Sequence, residues 1–225
     1  MQELRRLIQE SRNYILLAAI IFVLGTWLGF VYSDAFAAII NQMLEELSGI
    51  VEDLQEKSAN PLYIAWFIFQ NNVRAALVML GMGFLLFFVP AFSLFANGLA
   101  VGFVIQMSAV EAGLSPWAMF AFGILPHGIL ELPAVIVAGG MGMFLGLRLL
   151  RWLFGRNKFF AHLFGSPRDG SIGSFWREDT LPVIQQRAKG LLALVLSIIV
   201  VLFAAALIES FITPVLMYYF IDMPL

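Results

Sequence analysis

The sequence predicts an all-α fold of the membrane class: a polytopic bundle of five transmembrane helices, with a broken or re-entrant helix before the fourth. Three observations carry this. Of the 225 residues, 61% are hydrophobic and 12% charged, with a mean hydropathy of +0.89, outside the range of soluble domains. Several apolar runs reach the roughly 20 residues that crossing a hydrocarbon core of about 30 Å requires. None of them shows the alternation expected of a membrane-barrel strand. The sequence has no cysteine, which removes disulfides, thiolate metal sites and cysteine nucleophiles. A net charge of −2 gives no reason to expect nucleic acid as a partner.

The first span is read at about 14–32, after Arg5, Arg6 and Arg12. Ala35 and Ala37 have the spacing of a signal-peptidase site, but the run is longer than an ordinary signal core. Its Gly25 and Gly29, four apart, suit close helix packing, so a retained anchor is the preferred reading. Residues 33–60 are acidic, with Ile39, Ile40, Met43, Leu44, Leu47, Val51 and Leu54 at helical spacing. That pattern predicts an amphipathic helix on the membrane surface or against a partner, with a solvated connector as the plainer alternative.

Asn60 and Pro61 form an N-cap followed by a first-turn proline, opening a helix that crosses the membrane at about 69–89. Span three, about 92–112, follows so closely that the two must form a hairpin. Ser115 and Pro116 open the next helix. The apolar run from Trp117 to Leu147 is too long for one straight crossing at about 1.5 Å per residue, so a break is expected at Pro126, with the fourth span at about 128–147. The fifth runs over about 191–212. Eight of the thirteen Lys and Arg residues fall between Arg148 and Lys189, which places that segment in the cytoplasm. The N-terminus is then inside, the acidic segment outside and the C-terminus outside.

With that topology, Asn71, Asn72 and Arg74 on span two, Gln106 on span three, His127 and Glu131 on span four, and Glu209 on span five all fall in one leaflet. A charge at the bilayer centre costs about 2.5 to 3.5 kcal/mol even on the gentler insertion scale. These groups are therefore expected to meet one another as an intramembrane polar cluster opening outward. His127 and Glu131, at i and i+4, share a helical face. Pro126 and Pro133 free carbonyls that only protein or cavity water can satisfy at this depth. Three uses compete for such a cluster: ion pairs of Arg74 with Glu131 or Glu209 that hold the bundle in register, a site for a partner helix or small ligand, and a metal or catalytic site. For the last, His127 and Glu131 are two ligands where three or four are usual, and Glu209 could be a third if spans four and five touch. No catalytic residues are assigned, no cofactor is required, and a divalent metal at His127 and Glu131 is kept as the alternative.

Glycines mark helix packing at Gly98 and Gly102 and at Gly142 and Gly146. Packing within the chain is the plain reading, with homodimerisation through the Gly142 and Gly146 face beside it. The cytoplasmic segment mixes bases with Trp152, Phe154, Phe159, Phe160, Leu163 and Phe164, as suits a helix lying on an anionic leaflet.

The stretches FIFQNNVRAAL, VPAFSLFANGLAVG and, above all, ILPHGILELPAVIVAGGMGMFLG make the chain similar to the stage II sporulation protein M family of bacterial membrane proteins. The resemblance runs from about Asn60 to Leu147 and more loosely to the C-terminus. It implies five membrane helices in the bacterial cytoplasmic membrane. It also implies a non-catalytic subunit that joins peptidoglycan-degrading proteins during engulfment of the forespore, although relatives occur in organisms that do not sporulate. The expected function is assembly or localisation of peptidoglycan hydrolases. The alternative is an intramembrane metal-dependent hydrolase or small-molecule transporter built on the cluster around His127 and Glu131.

Overall fold

The computed structural model describes residues 2–37, 60–85, 88–154 and 181–221. The elements are α1 (Gln2–Val31), α2 (Pro61–Leu85), α3 (Phe88–Ala112), α4 (Pro116–Ala118), a π-helical turn at Met119–Ile124, α5 (Leu125–Phe154), α6 (Leu181–Leu207), a second π-helical turn at Ile208–Ile212, and α7 (Thr213–Ile221). Five stretches are long and apolar enough to cross a membrane: Gln2–Val31, Pro61–Gly83, Phe88–Ala112, Pro116–Leu150 and Ala188–Phe220. The protein is all-helical over its described residues and multi-pass. Most of the acidic segment 33–60 and of the basic segment 148–189 lies outside the described residues.

The expected start signals are in place. Asn60 Oδ1 accepts from the Leu62 N–H at 3.0 Å, and Ser115 Oγ accepts from the Ala118 N–H at 3.2 Å. At the end of α3, Gly113 takes φ +65°. There the Leu114 N–H bonds Ala109 O at 2.8 Å and the Gly113 N–H bonds Val110 O at 3.2 Å, a Schellman pair that needs a left-handed residue at this position.

Three boundaries differ from the sequence expectation. First, α1 begins well before Tyr14 because charge keeps a turn out of the bilayer without unwinding it. Arg6 and Glu10 pair across one turn at 3.2 Å, and Leu7 and Ser11 are buried. Second, the hairpin turn precedes Phe88, so Pro90 lies in the first turn of α3, where a missing N–H leaves no helical bond unmade. Third, the discontinuity expected before span four is a change of winding rather than a separate half-helix. The Leu125 N–H bonds Phe120 O, five residues back, and Pro126 follows at once. The wider turn passes the proline without ending the helix, while Pro133 sits inside α5.

The central helix is α5, which packs on α1, α2, α3 and α6. Small residues set the distances. A Cβ at Gly25 or Gly29 of α1 would run into the backbone of α3 at Phe95 and Leu99, and one at Gly98 or Gly102 of α3 would run into α1 at Phe22 and Thr26. The two glycine pairs read in the sequence are thus the halves of one contact, with backbones touching as in other small-residue membrane crossings. Gly142 likewise faces Met79 and Gly83 of α2. Gly142 and Gly146 are both buried within the chain. At Gly142 the face considered for a homodimer meets α2 of the same chain. Between these contacts Met79, Leu94, Met141 and Leu202 are almost wholly buried and fill the interior. Phe69 meets Phe203 edge-on at 5.3 Å, tying α2 to α6.

Replacing Gly102 by Ala should lower thermal stability in detergent by about 1 to 3 kcal/mol, as overpacking does, because the added methyl meets α1 backbone. Gly81 faces open space, so Gly81→Ala should leave stability unchanged or raise it by up to about 1 kcal/mol.

Candidate functional site

The two ends of the bundle differ in chemistry. At one end Arg148 Nη2 bonds Glu10 Oε2 at 3.3 Å, the Arg148 guanidinium lies 4.4 Å from the Phe144 ring centroid, and Gly190 packs on Leu7. His127 is some 20 residues from Arg148 along the same helix, and Glu209 is a similar distance from Lys189. At 1.5 Å per residue, the two groups sit about 30 Å away, toward the other end of their spans.

There they meet. His127, Glu131 and Glu209 each direct one ligand atom into a group whose members all lie within 4.8 Å of one another. His127 Nε2 is 4.0 Å from Glu209 Oε2. The residue carrying that imidazole is only 9% exposed, so its surroundings are protein. On the other side of the ring, His127 Nδ1 lies 3.4 Å from Thr213 Oγ1. The Asn72 side-chain amide on α2 is the polar group set against the Glu131 carboxylate.

The arrangement follows from two matching local structures. His127 and Glu131 are four apart on the fourth span, and Glu209 and Thr213 are four apart on the fifth. Each pair adjoins a π-helical turn that ends just before a proline, at Leu125 and Pro126 and at Thr213 and Pro214. In each, the N–H of the residue before the proline bonds five residues back, to Phe120 O and to Ile208 O. Turns of this kind are rare in helices and frequent at functional sites. The first π turn and α7 also pack together, with Phe122 stacked on Phe220 at 4.8 Å.

Of the residues that the sequence groups together, the structure joins Asn72, His127, Glu131 and Glu209. It does not join the remaining three. Asn71 and Arg74 are exposed, and among the described residues neither carboxylate pairs with Arg74. The reason is helical phase: Asn72 lies on the α2 face that carries the buried Ala76 and Met79, while residues one and two further round at about 100° per residue look elsewhere. Gln106 keeps a buried Oε1 that has no hydrogen-bond partner among the described residues. An adjacent cleft of about 340 Å³ at the first π turn, lined by Ser108, Glu111, Met119, Gly123 and Met217, does not include the three clustered ligands.

Thr213 was not singled out from the sequence. Its signal is the Thr-Pro dipeptide four residues after Glu209, which parallels Leu125 and Pro126 before His127. Thr213→Val keeps the shape but removes the ring's partner. It should lower stability by about 0.5 to 1.5 kcal/mol in detergent unfolding, and Thr213→Ser should restore most of the loss.

A family model described as stage II sporulation protein M matches residues 18–214. No curated protein and no solved structure matches the chain. The matched residues reach from the middle of the first span to Pro214 of the fifth, and so take in every helix that builds the polar cluster; the chain belongs to the stage II sporulation protein M family.

Proposed function

We propose that the protein is a non-catalytic subunit of the bacterial cytoplasmic membrane that assembles or localises peptidoglycan-degrading enzymes, as in forespore engulfment. Family membership makes it a sporulation-related membrane protein, and that is the observation that carries the reading. The interior supports it. Among the described residues an apolar cluster runs from Leu7 through Ala18, Met79, Leu94, Ala138 and Met141 to Leu202, filling the bundle away from the polar end with side chains that offer a solute nothing to bind. A carrier would need polar groups there. In this reading the acidic segment 33–60 is extracytoplasmic and meets the hydrolases.

The convergence of His127, Glu131 and Glu209 favours one second reading, a metal-dependent hydrolase, because three protein ligands with an open fourth position is the pattern of catalytic zinc sites. Cleavage of peptidoglycan by the purified chain alone would establish it.

The scaffold reading is tested by affinity purification of the tagged protein from engulfing cells, with zymography of the eluate on peptidoglycan. Hydrolytic bands are expected with the wild type. They should be lost when Glu45, Glu46, Glu52 and Asp53 are replaced by Ser in a protein that remains folded. Absence of hydrolase from the wild-type eluate would overturn it.

A further inference from the structure

The hydrogen bonding around His127 leaves one nitrogen in a position that asks for a cation. Thr213 Oγ1 donates its hydrogen to Ile208 O at 3.3 Å, so toward the imidazole it can only accept. With the Thr213 hydroxyl donating to Ile208 O, Nδ1 at 3.4 Å carries the ring hydrogen, and in that neutral tautomer Nε2 presents a lone pair. That lone pair faces the Glu209 carboxylate at 4.0 Å, with Glu131 in the same group. Three electron-rich atoms from two spans converge at membrane depth, and among the described residues no Lys or Arg pairs with either carboxylate. Unpaired, each ionised group would cost about 2.5 to 3.5 kcal/mol at the centre of the bilayer.

We propose that His127 Nε2 and one carboxylate oxygen each of Glu131 and Glu209 form a binding site for a divalent transition cation of the zinc class. Bonds of about 2.0 to 2.2 Å in a tetrahedral site put ligand atoms roughly 3.4 Å apart, so a group within 4.8 Å closes on the ion by side-chain adjustments of about 1 Å. An imidazole nitrogen with two carboxylates suits zinc better than magnesium or calcium, which take six or more oxygens. The supporting groups are those found around metal sites. Thr213 Oγ1 lies against Nδ1 of the histidine and Asn72 beside Glu131; outer partners of this kind typically contribute 10- to 100-fold in metal affinity. The ion joins α5 to the second π-helical turn and leaves a fourth position for water or another ligand. The site stands whether or not hydrolases copurify with the chain.

The test uses the full chain in detergent, stripped with a chelator, dialysed against Zn²⁺ and analysed for metal, with Co²⁺ substitution to read visible absorption. About one zinc per chain is expected, with Co²⁺ bands of nitrogen and oxygen ligation. His127→Ala and Glu209→Gln should each lose the metal. Thr213→Val, which keeps the ligands and the helix, should weaken it 10- to 100-fold, with recovery in Thr213→Ser. Glu111→Gln, outside the site, should bind as wild type. Folded wild-type protein that takes up no zinc, or zinc retained undiminished by both His127→Ala and Glu209→Gln, overturns the proposal; the first result would leave a proton between Nε2 and Glu209 in the cation's place.

Discussion

Ionisable side chains at membrane depth must be satisfied by protein, and the polar end of this bundle is organised by that requirement. A histidine and two glutamates converge there because α2, α5 and the fifth span bring them together, with Asn72 beside Glu131, Thr213 beside His127, and His127 facing Glu209. The prolines serve the same end. Pro126 and Pro214 each follow a π-helical turn that widens the helix by one residue. The chain thereby passes a residue without an N–H while His127 and Thr213 stay on the facing surfaces.

The rest of the bundle makes that meeting geometrically accessible. Groups on three spans can touch only if the helices approach closely. Gly25, Gly29, Gly98 and Gly102 let α1 and α3 meet backbone to backbone, and Gly83 and Gly142 do so for α2 and α5. With α5 drawn against α2, Asn72 comes within reach of Glu131. The ion pair of Glu10 with Arg148 closes the opposite end, so α5 is held at both ends, by chemistry of different kinds. Between them lies the apolar core of the described residues.

Much of this is legible in the residues themselves. Hydropathy places five spans, Asn60 and Ser115 announce two helix starts, and the four-residue glycine spacings mark close contacts. The intramembrane cost of charge is enough to group His127, Glu131 and Glu209. What sequence alone leaves open is rotation about each helix axis. Counting depth puts Asn71, Asn72 and Arg74 at one level, but only phase against buried neighbours separates Asn72 from the other two. Likewise, a proline in an apolar run reads as a break, whereas a π-helical turn carries the helix through it. The ring partner Thr213 hides because a threonine before a proline is ordinary until the facing histidine is placed. The fit of Gly25 and Gly29 to Gly98 and Gly102 needs the pairing of α1 with α3, which chain order does not supply.

Contact of the fourth and fifth spans through His127 and Glu209 gives the polar end of the bundle a fixed base. Everything at this end depends on His127 and Glu209 acting on each other. A double-mutant cycle of His127→Ala and Glu209→Gln, followed by reversible unfolding in detergent, measures that directly. A coupling of about 0.6 kcal/mol or more is expected, in the range found between polar groups of helical membrane proteins. Effects that simply add would show that the two side chains do not interact, and would contradict the site.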